Sequence, residues 1–263
     1  MTRLTELPAL EPDPLTPRPR EVERYVEALQ GLSKANADFA RRASWAQIRL
    51  AGARAGSRPT EAHDSLNRIF RLGVPPDPPL EGPTRGILVT PTIPRPADLG
   101  LRALASAWMP WTGKRFHSAT ATGDNLLVPS ARPVARVLFP SYRLEPLDSG
   151  SYAAFRFRTY VGPGQVDPDR ETLKIDYDSD ENPRLLIRDI LDELVQIVPG
   201  AYLGKVLLRR KDAWRLLGYF ALQPAAVARH QQPVAARGPR REAKAGSGRD
   251  RRRREAPPLL RGV

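Results

Sequence analysis

Two strand-length apolar runs, AYLGKVLLRR (201–210) and AWRLLGYFALQ (213–223), are separated only by Lys211 and Asp212. Two residues is the length of a tight β-hairpin, so the runs are predicted to pair antiparallel. Upstream, YAAFRFRTY alternates, with Phe155, Phe157 and Thr159 on one face and Arg156, Arg158 and Tyr160 on the other. TLKIDYD sets Leu173, Ile175 and Tyr177 against Lys174 and Asp176 in the same way, and RGILVT (85–90) is a continuous apolar run. Consecutive short antiparallel strands manage their exposed edges by closing into a small barrel or curving strongly. A small closed barrel leaves an interior for side chains or one small ligand. One segment reads differently. In NPRLLIRDILDELVQI, Asn182 and Pro183 suit a helix cap and first turn, and Leu186, Ile190, Leu191 and Leu194 suit one helical face. A helix packed on the barrel is therefore predicted over 183–196.

The stretch before Gly82 has a helical period. Val22, Tyr25, Val26, Leu29 and Leu32 recur on one face, and Phe39, Trp45 and Ile48 continue the pattern after a break near Gly31. Thr60 and Glu61 open a second helix through Leu66, Ile69 and Phe70, which Gly73 and the following prolines end. The organisation expected is a Pro-rich lead (1–18), helices (19–73), a stiff linker GVPPDPPLEGP, a barrel (82–223) and a basic tail (225–263).

The net charge of +13 is concentrated at one end, because residues 225–263 hold eleven Lys and Arg against three acids. Such a tail cannot bury enough apolar surface to offset its ordering entropy, so disorder is expected. Its charge suits either plain solvation or a salt-dependent contact with nucleic acid or anionic membrane. No apolar stretch approaches the roughly 18 residues needed to span a bilayer, and the N-terminus lacks the apolar centre of a signal peptide. A soluble, cytoplasmic chain with no transmembrane segment is expected. Cysteine is absent, which excludes disulfides and thiolate zinc sites, and the only histidines before the tail are His63 and His117. The sequence therefore calls for no metal and no cofactor.

WMPWTGKRF (108–116) places two of the four tryptophans beside Gly113, Lys114 and Arg115. Together with the order of elements, this segment resembles the GXWXG-type lipocalin-like β-barrel proteins of actinobacteria. Their W-x-G-K-R-F motif is matched in full by Trp111, Gly113, Lys114, Arg115 and Phe116. Their G-x-W-x-G motif is matched at Gly82 and Gly86, with Thr84 in place of the tryptophan. The resemblance covers about 66–223 and implies a lipocalin-like barrel with an internal pocket.

On that reading Trp108, Trp111 and Phe116 wall the mouth of the pocket, and Lys114 or Arg115 reaches its polar rim. Phe155, Phe157, Arg158, Tyr202 and Tyr219 complete the candidate ligand-binding set. Trp108 and Trp111 also read as core filler, and Lys114 and Arg115 as solvated strand-end charges. Asp176, Tyr177 and His117 are the candidates for acid–base chemistry, and Asp192 and Glu193 could join Asp176 if it enters the barrel. No nucleophile triad or phosphate-binding loop is present. Three functions stay open: binding of a hydrophobic small molecule with an acidic or carbonyl head, cyclisation, isomerisation or hydration of an apolar substrate, and an interaction scaffold around a filled barrel. What occupies the lumen separates them.

Overall fold

The computed structural model of the chain describes residues 19–91 and 111–225. Trp108, the Pro-rich lead and the tail beyond Ala225 lie outside them.

Strands β1 (Gly82–Pro91), β2 (Trp111–His117), β3 (Thr122–Leu127), β5 (Tyr152–Pro163), β6 (Glu171–Asp176), β7 (Ile190–Val198), β8 (Ala201–Arg210) and β9 (Ala213–Pro224) form an antiparallel sheet. Its order is β3-β2-β1-β9-β8-β7-β6-β5, and β3 also pairs with β5, which closes the barrel. The two-residue β4 (Glu145–Pro146) pairs with β5 near its start. The predicted hairpin is present: Arg210 pairs with Ala213 across a turn in which Lys211 takes the positive φ of +53° that tight hairpin turns require.

The helix predicted over 183–196 does not form. The chain makes one 3-10 turn at Ile187–Asp189 and then enters β7, which pairs with both β6 and β8. Its apolar residues fall on both faces: Ile190 and Leu194 join the lumen core, whereas Val195 and Ile197 pack outward. A strand apolar on both faces has no clean alternation, and its spacing then fits a helix as well. The helix inserted between strands is instead α4 (Ala131–Leu138), between β3 and β4, with Ala131 and Ala135 buried.

Helices α1 (Pro19–Ser33), α2 (Ala37–Ala53) and α3 (Pro59–Arg71) explain that second face. Val22 and Val26 of α1, Ile48 of α2, and Leu66, Ile69 and Phe70 of α3 are buried with Val195, Ile197, Leu203, Tyr219 and Ala221. The break between the first two helices falls at residues 34–36, where the Asn36 side chain caps α2 by accepting from Phe39 N at 3.1 Å. Phe39 itself is exposed. Where α3 ends, Gly73 lets the chain approach β7; a Cβ there would lie 2.6 Å from Val195 Cγ2. Among the described residues the buried apolar side chains therefore lie in the lumen and between the barrel wall and the helical layer, the latter including a small separate cluster of Leu29, Ala40, Val198 and Ala201.

Candidate functional site

The site is built where β2 crosses β1. Gly113 sits in a bulge of β2, and a Cβ on it would come within 2.0 Å of the Thr84 carbonyl oxygen, so only glycine fits this approach. Thr84 then holds the crossing: its buried hydroxyl donates to the Lys114 carbonyl at 2.7 Å and accepts from Lys114 N at 3.1 Å. The Trp111 ring lies against Gly86 of β1, where a Cβ would be 2.3 Å from Cη2.

Pinned in this way, β2 turns Lys114 and Phe116 into the lumen and Arg115 outward. Lys114 is 3 % exposed and does not reach a rim. Its Nζ donates to Asn125 Oδ1 at 2.9 Å and to the Tyr177 hydroxyl, and pairs with Asp192 Oδ2 at 2.9 Å. These three acceptors take its three protons. The rings of Trp111, Phe157, Tyr177 and Phe220 surround the ammonium with centroids 5.1 to 5.6 Å away, a cation–π setting. Tyr177 donates to Asp192 Oδ2 at 3.0 Å, and Trp111 Nε1 donates to Asn125 Oδ1 at 3.1 Å.

Burial pushes the Lys114 ammonium below its ordinary value, and Asp192 only partly restores it. Burial likewise pushes the Asp192 carboxyl up against the opposing pull of Lys114. The Tyr177 hydroxyl is raised well above the usual phenol value by burial and by the adjacent carboxylate. All three groups resist bearing charge, which low polarity imposes on ions.

One atom of the cluster is unsatisfied: Asp192 Oδ1 is buried and has no hydrogen-bond partner among the described residues. Asp192, Lys114 and Asn125 line a cavity that continues past Trp111, Val206 and Phe220 to the half-exposed Leu88. The cavity is small, about 20 Å³, and a water needs roughly 10–15 Å³ on that measure. Side chains fill most of the barrel interior.

The other expected site residues scatter. Phe116 and Phe157 pack on each other in the lumen, with ring centroids 5.4 Å apart. Phe155 belongs to the lumen core but packs against Phe139 and Tyr142. Tyr202 is also in that core and does not line the cavity. Tyr219 faces the other way, under α3 beside His63. Arg115 lies on the outer wall, bonded to Asp124 at 2.8 Å, with the half-exposed His117 3.7 Å from the same carboxylate. Asp176 is outside as well, paired with the exposed Arg158 at 3.0 Å. Of the acid–base candidates, only Tyr177 enters the lumen. Asp192 joins Tyr177 there and not Asp176, whereas Glu193 is turned to the opposite wall and pairs with Lys174 at 2.5 Å. Asn125 and Phe220 carried no signal in the sequence, because a single polar or aromatic residue in an apolar strand does not show which strand it will face. Among the described residues no cluster of metal-ligating side chains occurs, and no helix is long and apolar enough to cross a membrane.

No protein-family model matches the chain, and no curated protein matches it in sequence. A crystal structure of a protein from Thermomonospora curvata matches 66 % of this chain and 98 % of its own, with 17 % identity and a TM-score of 0.37.

Proposed function

We propose that the barrel is a small-molecule binding module whose ligand has an apolar body and one hydrogen-bond-donating head, such as a hydroxyl or amine. The observation that carries this reading is the unpartnered Asp192 Oδ1 at the inner end of a cavity otherwise walled by Trp111, Val206, Phe220 and Leu88. A buried carboxylate oxygen without a donor is costly, and a donor delivered to it is favourable. The room available fits a head group, with the body at the mouth on Leu88 and Trp111. An acidic or carbonyl head is less well served, since the protons of Lys114, Trp111 and Tyr177 are already given to protein acceptors. For the same reason the cluster offers no free donor to a developing oxyanion, so the enzyme reading has less support. Membership of the GXWXG-type lipocalin-like group is part of the proposal; its support is the W-x-G-K-R-F segment and the contact of Trp111 with Gly86.

The experiment is a fluorescence titration with decanol, decylamine, decanoic acid and 2-decanone. Decanol is expected to bind about tenfold tighter than the acid and the ketone, the size of one buried hydrogen bond to a charged group. The double variant Lys114→Met/Asp192→Leu, which removes both charges together, is expected to lose that preference. Equal binding of all four probes by the wild type would overturn the proposal.

A second reading rests on the cavity volume. With space for about one water, the lumen is also what a scaffold needs, and the failure of every probe to bind would favour it.

A further inference from the structure

Helix α4 and the turn after it pack Ala131 and Phe139 into the lumen core and form, with their remaining residues, a cleft of about 440 Å³. It is lined by Arg132, Arg136 and Arg143, with Ala135, Tyr142 and Leu144 between them and no acidic residue. None of the three arginines makes an ion pair or a side-chain hydrogen bond with a described residue. The neighbouring cleft, which shares Tyr142 and Arg143 with this one, differs: it also holds Asp124, Glu145 and Glu181, and its Arg156 is paired with both glutamates.

Arg132 and Arg136 are four apart on α4, which places their Cβ atoms about 5–6 Å from each other on one face, a spacing that penalises like charges. Arg143 adds a third cation from a turn that is held in place. Tyr142 N donates to the Phe139 carbonyl at 2.9 Å, the Tyr142 hydroxyl accepts from Phe155 N at 2.5 Å, and its ring stacks on Phe155 with centroids 5.1 Å apart. Folded elements thus set the backbone positions of three exposed arginines around one concavity, and an anion seated between their guanidinium forks would relieve the repulsion. Guanidinium forks match the geometry of phosphoryl oxygens and bond them in pairs.

We propose that this cleft is a binding site for the phosphoryl group of a soluble phosphorylated ligand. Its concavity suits a tetrahedral anion better than a flat bilayer, although the exposed Val137 on the same helix makes a lipid headgroup the other source of the same chemistry.

The test uses the full chain and inorganic pyrophosphate, titrated by calorimetry at low salt. Arg132→Gln/Arg136→Gln/Arg143→Gln is expected to weaken binding at least tenfold with an unchanged thermal midpoint, and the corresponding triple Lys variant to fall between the two. If the triple variant does not fold, Arg143→Gln alone should weaken binding about threefold. Equal binding by wild type and Gln variants would assign the affinity to the basic tail and overturn the site. So would no binding, or arginine-dependent binding to phosphatidylglycerol vesicles without binding to pyrophosphate.

Discussion

At the scale of single residues, the lumen is decided by charges that cannot leave it. Lys114 and Asp192 are both buried and lie 2.9 Å apart. Removing one partner strands the other, so Asp192→Ala is expected to lower the unfolding free energy by about 3–5 kcal/mol. Replacing both by apolar residues, as in Lys114→Met/Asp192→Leu, should be far milder, and urea denaturation of the three proteins checks the ordering. A second residue-scale prediction concerns Gly86, whose added Cβ would lie 2.3 Å from the Trp111 ring. Gly86→Ala should cost about 1–3 kcal/mol through overpacking and shift the tryptophan emission. In a Trp111→Phe background the same change should cost less, because the six-membered ring of the indole is what it strikes.

At the scale of elements, α3 and the loop after β5 are tied to the outer wall by a second set of buried ions. Asp167 receives Arg71 at 2.7 Å and also bonds Lys205, whose Nζ reaches Asn67 of α3 at 2.6 Å. Burial pushes the Asp167 carboxyl up, but the hydrogen bonds from Lys205 and Arg71 outweigh it and hold it below the ordinary value. A carboxyl held low in the folded state adds stability at pH above its unfolded value, near 3.9. That contribution is lost as pH falls through the folded value. Lys205→Met should therefore raise the acid-unfolding midpoint, and the difference from wild type should shrink below pH 4. β7 belongs at this scale too. In sequence the segment 183–196 fits a helix as well as a strand, because Leu186, Ile190, Leu191 and Leu194 suit one helical face. The covering of β7 by α1, α2 and α3 makes both of its sides apolar, and that covering is not a property of the segment.

At the scale of the whole molecule, the ladder is complete by the end of β9, where Ala225 N donates to the Pro83 carbonyl at 3.0 Å. A chain ending after Ala225 is thus expected to keep its thermal midpoint within about 2 °C, the shift of less than 1 kcal/mol for a protein of this size. If the tail binds nucleic acid, the full chain should lose that affinity steeply between about 50 and 200 mM salt, and the shortened chain should lack it.

The sequence by itself determined the elements whose signal is local. Val22, Val26 and Leu29 repeat at the helical period, Phe155 and Phe157 alternate with arginines, and two residues between apolar runs leave no connection but a hairpin. Those patterns depend on neighbours three or four residues away at most, and they mark β1, β5, β6, β8 and β9 and the antiparallel pairing of the last two, but neither β3 nor β7. The tertiary structure decided what closure and layering bring together. Alternation placed Lys114 and Arg115 on opposite faces of β2 but did not say which face would be sealed. Only closure of β3 on β5 makes one face a lumen, carries Lys114 across it to Asp192, and leaves Asp192 Oδ1 without a donor. Tyr219 went to the opposite wall for the same reason: inside and outside of a barrel are both apolar here, and the helical layer, not the strand, tells them apart.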